Sequence, residues 1–524
     1  MATSVVSVLD WWARAKPDRI ALVFGDDQVD YRRYRDWTSR VARSLVARGV
    51  APGDRVALLA NNSLEWAVTA IGVLRAGGVL VPINPRLVAG EIRSFFEEAG
   101  VRLVIAEGAF TATLKEVAGQ LDGDLDIVEI AAVEALRAGE TGGETCGEAG
   151  GVKGGETGAF RVDRDQHEPM TVLFTSGSTG RSKGVICTNR TMLDIAFEAS
   201  LREDALNTGV RTLLVLPLCF TPGVVYGLFM TGVLGGTLVI EPGFDAARAV
   251  QRLAEHRIQA MFGVPLLWES MARTPGFAEA DLSNLGSAVV GGAAVSVPLL
   301  RAWGAKGVVL RQIYGMTEVG GIATATLPEE AEEHAATCGA GSPFTDLRVV
   351  RPDGTDCEPG EPGEIIMRGP GVTPGYWAAP ELTAQAIRDG WLYGGDLGVR
   401  DTDGRIGFAD RLKDLIISGG INISPFELEA ALMTIPGISE VAVIAAPDER
   451  FGETPAAIVS VAADSDLDEA AIVAACATRM ADYKVPRYVV IRRDPLPRLP
   501  SGKLAKPAIR DEYRDVTERF PKVR

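Results

Sequence analysis

The stretch RVALLANNSLEWAVTAIGVLRAGGVLVPIN, residues 55–84, decides the fold class. It starts with an apolar run of strand length, RVALLA, continues with the helical SLEWAVTAIGVLRAG, and ends with a second strand-like run, GVLVPIN. A helical stretch at 88–99 and the run VRLVIA continue the alternation. Strands that alternate with helices are typical of parallel sheets with helices on both faces. The sequence therefore predicts an α/β fold.

The pattern changes after residue 322. Short β-type runs separated by Asp-Gly and Pro-Gly turns indicate a small β-rich subdomain, and an αβ pattern resumes after RLKDLIISGG over about the length of one domain. We therefore predict a large N-terminal domain over residues 1–411, with parallel α/β sheets and the β-rich subdomain, and a small mobile α+β C-terminal domain over 412–524. The Gly/Glu-rich segment 139–158 is too polar to pack and is predicted to be a flexible surface insertion.

Composition narrows the functional classes. The chain has 524 residues and a net charge of −16, without a Lys/Arg block outside mixed-charge helices, which argues against nucleic-acid binding. Six scattered cysteines without a Cys-x-x-Cys pair, and three histidines, argue against a zinc site and fit a cytoplasmic protein with reduced thiols. We expect no export signal in residues 1–21. Residues 212–240 carry no charge, but their prolines and glycines predict strand, loop, short helix and strand rather than a membrane span.

The stretch TSGSTGRSKG, residues 175–184, is rich in glycines and hydroxyl side chains. An apolar β-type run precedes it and a helical stretch follows, so we expect the loop at a strand-to-helix turn. Backbone N–H groups in such a turn, together with Lys183, suit phosphate. The stretch matches neither the Walker A nor the Gly-x-Gly-x-x-Gly spacing, and a flexible connector is the alternative interpretation.

Further motifs follow in order along the chain. They are YGMTE at 314–318, GWLYGGDLG with Asp396, ADRLKDLIISGG with Arg411 and Lys413, and LPSGK ending at Lys503. Taken singly, each has an ordinary explanation, such as a helix cap, a turn residue or a solvated lysine. As an ordered set with the 175–184 loop they resemble the adenylate-forming superfamily of acyl-CoA synthetases, peptide-synthetase adenylation domains and luciferases, over nearly the whole chain.

The resemblance implies an ATP-dependent acid–thiol ligase. A carboxylate would attack the α-phosphorus of ATP to give an acyl-adenylate and pyrophosphate, and CoA would then displace AMP. ATP, Mg²⁺ and CoA are the implied cofactors. Lys503, Thr317 and Glu318 would be catalytic, because charge on the transferring phosphate must be stabilised, and Glu318 would bind Mg²⁺, which prefers oxygen ligands.

The same resemblance implies the other nucleotide and CoA contacts. Asp396 would accept both ribose hydroxyls, Lys413 would be the hinge of a rotating C-terminal domain, and Gly419 and Gly420 would line the CoA tunnel. The implied nucleotide-binding residues are Thr175, Ser176, Gly177, Ser178, Thr179, Gly180, Lys183, Gly291, Gly292, Ala293, Tyr314, Gly315, Met316, Thr317, Asp396, Arg411 and Lys503.

The candidate acyl pocket is built from PLCFTPGVVYG, MFGVP, VVGGAA and GGIATA, which are apolar or small and carry no charge. We expect Gly320 and Gly321 to leave volume, which favours a bulky apolar acid of the aryl, polycyclic or terpenoid kind; the alternative is that these glycines serve only turns. The predicted pocket residues are Cys219, Phe220, Gly223, Gly263, Val264, Gly291, Gly320 and Gly321.

Three residues depart from the superfamily pattern. Ser182 stands where proline is usual, Phe220 where many relatives carry histidine, and Ile421 where glutamate is common. Phe220 and Ile421 fall near the implied acyl and thiol sites, which leaves open an adenylating half-enzyme that passes its product to a partner enzyme or carrier.

Other classes stay open as well. A luciferase-like oxidase shares these motifs. An amino-acid adenylating enzyme would be expected to carry a carboxylate at the start of the pocket motif, and the sequence offers no clear candidate for it. A non-catalytic nucleotide-binding protein would be expected to lack Lys503 or Glu318, and both are present.

Overall fold

The computed structural model describes residues 3–137, 159–175, 182–292, 295–419, 421–462, 465–478, 480–499 and 504–524. The chain forms two compact units. The first comprises Met1–Ala335, Gly339–Leu347 and Met367–Leu392, and the second comprises Ala336–Cys338, Arg348–Ile366 and Tyr393–Arg524. The predicted insertion at 139–158 lies outside the described residues, and the predicted domain boundary after residue 411 stays a prediction.

The strands of the described chain are β1 (Ile20–Phe24), β2 (Asp27–Asp30), β3 (Arg55–Leu59), β4 (Val79–Pro82), β5 (Leu103–Ala106), β6 (Asp126–Glu129), β7 (Pro169–Thr175), β8 (Lys183–Thr188), β9 (Arg211–Leu214), β10 (Thr237–Ile240), β11 (Ala260–Gly263), β12 (Ser287–Gly291), β13 (Leu310–Tyr314), β14 (Thr324–Ala325), β15 (Asp346–Val350), β16 (Pro362–Arg368), β17 (Ile387–Arg388), β18 (Trp391–Arg400), β19 (Ile406–Arg411), β20 (Ile416–Ser418), β21 (Ile421–Ile423), β22 (Ile438–Asp448), β23 (Gly452–Val461) and β24 (Tyr488–Arg492).

The α-helices are α1 (Val5–Ala15), α2 (Tyr31–Ala47), α3 (Leu64–Arg75), α4 (Ala89–Ala99), α5 (Thr111–Ala118), α6 (Ala131–Ala135), α7 (Asn189–Arg202), α8 (Thr231–Val233), α9 (Ala246–Glu255), α10 (Pro265–Ala272), α11 (Val297–Gly304), α12 (Pro380–Ala386), α13 (Pro425–Leu432), α14 (Glu469–Ala477), α15 (Lys506–Glu512) and α16 (Val516–Arg519). A π-helix, Pro222–Met230, runs directly into α8.

Two sheets form the first unit. The larger has eight strands in the order β14-β13-β12-β11-β9-β10-β1-β2, parallel from β13 to β1 with antiparallel strands at both edges. The smaller has six strands in the order β6-β5-β3-β4-β7-β8 and is parallel except for β8. The α/β fold predicted from residues 55–84 is confirmed.

Helices cover the faces of both sheets. The largest core cluster joins α1, α2 and α3 to side chains of both sheets, including Leu58 in β3 and Leu214 in β9. A second cluster packs α9, α10 and α11 on the other face of the eight-stranded sheet, and a third packs α4 and α5 on the other face of the six-stranded sheet. Apolar strands buried on both faces explain the continuous hydrophobic runs in the sequence.

The prediction for the 175–184 loop was wrong in one respect. β7 and β8, which flank the loop, pair antiparallel with Thr175 opposite Lys183, so the chain returns as a strand before α7 begins at Asn189. The apolar residues Val185 and Cys187 are buried along β8, which favours a strand immediately after the loop. The loop therefore connects two strands rather than a strand and a helix.

Residues 212–240 form the predicted order of strand, loop, helix and strand. β9 is followed by the π-helix with α8, and then by β10. Within the described part of the chain, no helix combines the length and apolar character that crossing a membrane requires.

The C-terminal tail belongs to the second unit, whereas the β-rich region is divided between the two units, with β17 in the first. A five-stranded sheet has the order β15-β16-β18-β17, with β19 paired to β18. A second five-stranded sheet has the order β21-β20-β23-β22, with β24 parallel to β23. α13 and α14 pack on one face of this last sheet, and α15 and α16 on the other.

A buried ion pair joins α1 to α3 in the first unit. Arg75 is fully buried, and its Nη2 donates to Asp10 Oδ1 at 2.7 Å while its Nε donates to Thr38 Oγ1 at 2.8 Å. Arg161 Nη1 donates to the second Asp10 oxygen at 3.0 Å. Burial lowers the pKa of Arg75, and the Asp10 carboxylate opposes that shift by favouring the charged form. The Arg75 guanidinium and the Asp10 carboxylate therefore each depend on the other to stay charged while buried.

We expect Asp10→Ala to lower the free energy of unfolding by about 3–5 kcal/mol, because it leaves the Arg75 guanidinium buried without a counter-charge. Urea denaturation followed by tryptophan fluorescence measures the change. The matched control is Asp18→Ala, which breaks the exposed Asp18–Arg32 pair at 2.8 Å and should cost less than about 1 kcal/mol. Equal losses in the two variants would contradict this account of the core.

Candidate active site

The carboxyl ends of β11, β12 and β13 meet at one edge of the eight-stranded sheet. The parallel register sets Gly263 beside Val290 and Gly291 beside Ile313, one residue before Tyr314. A Cβ atom on Gly291 would lie 2.3 Å from Ile313 Cγ1, so glycine is required for this close packing. Ligands of open parallel sheets bind at this edge.

The YGMTE motif leaves this edge as a tight turn. Thr317–Val319 form a 3₁₀ turn that ends at Gly320, whose φ is 72°. The hydroxyls of Thr317 and Thr221 are 2.8 Å apart, which ties the turn to the start of the π-helix. Thr221 is buried and was missed by the sequence analysis; its signal was a hydroxyl in the otherwise apolar stretch 212–240.

Glu318 has a partner that the sequence analysis also missed. The Tyr376 hydroxyl donates to Glu318 Oε1 at 3.1 Å, and Lys183 Nζ lies 5.2 Å from the centroid of the Tyr376 ring. Burial, and then the charge of Glu318, raise the pKa of Tyr376 above its usual value. The hydroxyl therefore stays protonated and fixes one carboxylate oxygen, and the second oxygen can still bind a cation.

The donor set around Glu318 fits Mg²⁺ better than a metal held by protein alone. Among the described residues, no group of three or more His, Cys, Asp or Glu side chains could hold a metal ion. Mg²⁺ is commonly bound by one or two carboxylates together with substrate phosphates and waters. The half-buried Glu318 carboxylate at this edge is consistent with that mode.

The four predicted pocket segments meet around one small cavity. Tyr226, Phe262, Val289 and Ile322, one from each segment, line a space of about 30 Å³. The Tyr226 and Phe262 rings are stacked with centroids 6.1 Å apart. None of the eight residues predicted for the pocket is among the residues that line this space, although they belong to the same four segments, and their roles stay predictions.

Two expectations about the pocket were wrong. A Cβ atom on Gly320 would lie 2.2 Å from Ile195 Cδ1, and one on Gly321 would lie 2.7 Å from Tyr226 Cε2, so side chains already fill the volume that these glycines were expected to leave. Both have positive φ, as the turn requires. The pocket is also not free of charge, because Arg202 and Glu203 line the same cavity.

Other predicted pocket glycines have packing roles. A Cβ atom on Gly223 would lie 2.2 Å from the Pro217 carbonyl oxygen, and one on Gly263 would lie 2.6 Å from Trp268 Nε1. Burial raises the pKa of the neighbouring Cys219 thiol to about 12, so the thiol is neutral at physiological pH. Cys219 can therefore pack against a ligand but is not a nucleophile.

Two predicted nucleotide-binding residues pair within the second unit. Asp396 in β18 lies opposite Arg411 in β19, and Arg411 Nε is 3.1 Å from Asp396 Oδ1. Lys413 belongs to the short 3₁₀ turn Leu412–Asp414, and its side chain is not among the described ones. Gly419, at a φ of 58°, donates its amide to the Phe451 carbonyl at 2.7 Å.

Several predicted site residues lie outside the described part of the chain. They are Ser176, Gly177, Ser178, Thr179, Gly180, Ala293, Gly420 and Lys503.

An open parallel sheet with a carboxylate at its carboxyl edge is consistent with a nucleotide-binding α/β enzyme. The model of the AMP-binding enzyme family matches residues 9–377, and that of the AMP-binding enzyme C-terminal domain matches residues 427–503. The chain belongs to the AMP-binding enzyme family.

Similar proteins include the long-chain-fatty-acid–CoA ligase FadD13 of Mycobacterium tuberculosis, 34% identical over 93% of this chain and 94% of that protein. A second relative from the same organism is 3-[(3aS,4S,7aS)-7a-methyl-1,5-dioxo-octahydro-1H-inden-4-yl]propanoyl:CoA ligase, 35% identical over 97% of this chain and 98% of that protein. The solved structure of o-succinylbenzoate CoA synthetase from Bacillus subtilis, in complex with its acyl-adenylate, is 27% identical with a TM-score of 0.84, over 96% of this chain and 98% of that chain.

These likenesses confirm the enzyme class predicted from the ordered motifs. The protein is an acid–thiol ligase of the acyl-CoA synthetase kind, and its substrates are a carboxylic acid, ATP and CoA.

We expect Tyr376→Phe to slow adenylation about tenfold to a hundredfold, because it removes a hydrogen bond to a charged carboxylate and leaves Glu318 free to turn. Pyrophosphate exchange at limiting Mg²⁺ measures the effect. Tyr376→Leu additionally removes the ring that Lys183 contacts and should be slower still. A Phe variant with the parent's rate would show that the hydroxyl does not position Glu318.

Proposed function

We propose that the protein joins a bulky, largely apolar carboxylic acid to CoA through a Mg²⁺-dependent acyl-adenylate. The observation that carries this proposal is the short path between two features of the first unit. Glu318, held by Tyr376, is only four residues before Ile322, which lines the cavity with Tyr226 and Phe262. An acid lying against the apolar side chains would present its carboxylate toward Thr317 and Glu318.

The relatives support a large acid rather than acetate. Their names give a long-chain fatty acid, a fused-ring dioxo propanoate and o-succinylbenzoate as the acids on which those proteins act. The cavity side chains Tyr226, Phe262 and Met230 offer apolar contact that a small acid could not use.

We assign the phosphate chemistry as the superfamily resemblance implies. The 175–184 loop, including Thr175 and Lys183, would bind the β- and γ-phosphates. Thr317 would donate to the α-phosphate, and Glu318 would hold Mg²⁺, which would neutralise developing negative charge.

The remaining roles are also proposals. Asp396 and Arg411 bind the ribose, Lys503 stabilises charge as the adenylate forms, and the residues from 412 onward act as a mobile lid. Gly419 and Gly420 line the path of the CoA arm. A cytoplasmic location is supported by the reduced thiols of Cys187, Cys219, Cys338 and Cys357.

The protein should exchange labelled pyrophosphate into ATP only when a suitable acid is present, because the label enters ATP by reversal of adenylate formation. A panel from acetate to fused-ring acids, with Glu318→Gln as the inactive control, tests the reaction and the size preference together. Acetate with a higher kcat/KM than every large apolar acid would contradict the proposed substrate. Exchange with no acid from a folded sample would favour a non-catalytic nucleotide-binding protein.

Lys503→Ala should slow adenylate formation by roughly 10²–10³, the usual effect of removing one preorganised electrostatic contact. Supplied with preformed acyl-adenylate, this variant should still form thioester near the parent rate. Lys413→Pro should retain adenylate formation and slow thioester formation, because proline fixes φ at the proposed hinge. Equal losses in both half-reactions for both variants would contradict the separate roles.

A second candidate function follows from Phe220 and Ile421, which depart from the superfamily pattern near the implied acyl and thiol sites. The protein would then be an adenylating half-enzyme that hands its product to a partner. Thioester formation by the parent enzyme from preformed adenylate decides between the two, since a half-enzyme would give none.

A further inference from the structure

The inner end of the acyl cavity is polar, although its walls are apolar. Tyr226, Phe262 and Ile322 form the walls, and Arg202, Glu203 and Ser287 line the same space. The volume of about 30 Å³ is sufficient for a group as large as a carbonyl oxygen or a water molecule. A cavity that binds only apolar groups does not need charged and hydroxyl side chains in its lining, so the polar end requires an explanation.

Tyr226 carries a hydrogen-bond donor for which the described residues supply no acceptor. Its hydroxyl accepts from the Ile322 amide at 2.9 Å, and this amide is the only partner of the hydroxyl among the described residues. Burial keeps the pKa of Tyr226 above its usual value, so the phenol remains protonated. A buried hydroxyl that accepts one bond still has its own proton to donate, and leaving it unpaired is unfavourable.

The backbone around Tyr226 fixes the position of that donor. The residue lies in the π-helix Pro222–Met230, and its ring packs so closely on Gly321 that a Cβ atom there would lie 2.7 Å from Tyr226 Cε2. π-helical segments are rare and often occur at functional sites. The turn that carries Thr317 and Glu318 therefore also limits where the Tyr226 hydroxyl can lie.

The cavity lies at a definite depth below the active edge. Ser287, Val289 and Gly291 alternate along one face of β12, and Gly291 is at the edge. Four strand residues span about 13 Å, so Ser287 at the polar end lies about 13 Å from Gly291 at the edge of the sheet. Val289 lies about halfway between them. The Tyr226 hydroxyl accepts from the Ile322 amide, four residues after Glu318, so an acid that reaches this hydroxyl must extend past its own carboxylate.

The charges around the polar end balance. Arg202 and Arg311 each lie 3.3 Å from Glu203 Oε1, and Ser287 Oγ donates to the other Glu203 oxygen. Glu198 accepts from the Phe344 amide at 2.8 Å and from Thr345 Oγ1 at 3.0 Å. Two guanidinium groups and two carboxylates leave no net charge, so the site favours a neutral oxygen over a second carboxylate.

We propose that Tyr226 is a specificity-determining residue that donates a hydrogen bond to a neutral oxygen, a ketone or hydroxyl, on the part of the acid remote from its carboxylate. The inference rests on the proposed function and narrows its substrate class from bulky apolar acids to bulky acids with one such oxygen.

The test uses pairs of acids that differ by one ketone in place of a methylene group, with the ketone at increasing distance from the carboxylate in linear and bicyclic acids. For at least one spacing, kcat/KM for the keto acid should exceed that of its methylene partner by about tenfold, because the methylene acid leaves the buried hydroxyl unpaired. A carboxylate at the same position should be accepted less well than the ketone.

Tyr226→Phe should reduce that preference to near one, because phenylalanine cannot donate to the ketone. The readout is the ratio of kcat/KM for each keto acid to that for its methylene partner, which cancels any effect of the variant that both acids share. Tyr31→Phe is the matched control, because Tyr31 is also buried and its hydroxyl donates to the Gly236 carbonyl at 2.8 Å, away from the cavity. The control should retain the keto preference, and thermal unfolding of both variants shows whether either change is merely structural.

Each other outcome overturns the inference. Equal kcat/KM values for keto and methylene acids at every spacing would contradict the role of Tyr226 and leave the proposed function intact. If Tyr226→Phe retained the keto preference, another residue would have to cause the selectivity. A preference for the dicarboxylate would contradict the inference that the site selects a neutral oxygen. Exchange with no acid at all would mean that the proposed function fails as well.

Discussion

The parallel register of β11, β12 and β13 is the constraint on which the active site depends. Parallel strands of one sheet must all end at the same edge, and here that edge receives Gly263, Gly291 and Tyr314 from segments far apart in the chain. The YGMTE turn follows directly from the last of these strands. The position of Thr317 and Glu318 is therefore set by the hydrogen-bond ladder of the sheet and the length of a short turn.

Hydrogen bonds between buried groups then reduce the freedom of the turn. Thr317 contacts Thr221 at the start of the π-helix, Glu318 accepts from Tyr376, and the Ile322 amide donates to Tyr226. A polar group away from water is costly unless it is paired, so these contacts hold the carboxylate and the cavity wall in one arrangement. The same turn thus connects the Glu318 carboxylate to the wall of the cavity.

The cavity illustrates how an apolar sequence segment can enclose a polar space. Its walls come from segments without charge, but α7 ends at Arg202, and Glu203 follows as its C-cap. Ion pairs to Arg311 and a hydrogen bond from Ser287 compensate the buried Glu203 carboxylate. The balance keeps charged groups stable beside apolar rings and leaves the Tyr226 hydroxyl as the donor that faces no protein acceptor in the described chain.

The sequence by itself determined the α/β alternation, the order of the motifs, the enzyme class that those motifs resemble and the segments that meet around the cavity. These are local properties, because the period of apolar residues and the chemistry of short motifs can be read along the chain. It did not reveal that the 175–184 loop links two antiparallel strands, since a short apolar run such as KGVICT can begin a helix or form a strand until a neighbour pairs with it. Only the tertiary structure brought Tyr376 to Glu318, filled the space beside Gly320 and Gly321 with Ile195 and Tyr226, and placed Arg202 and Glu203 in the cavity. Those contacts join residues that are distant in sequence, and packing between sheets and helices, which no local pattern encodes, decides them.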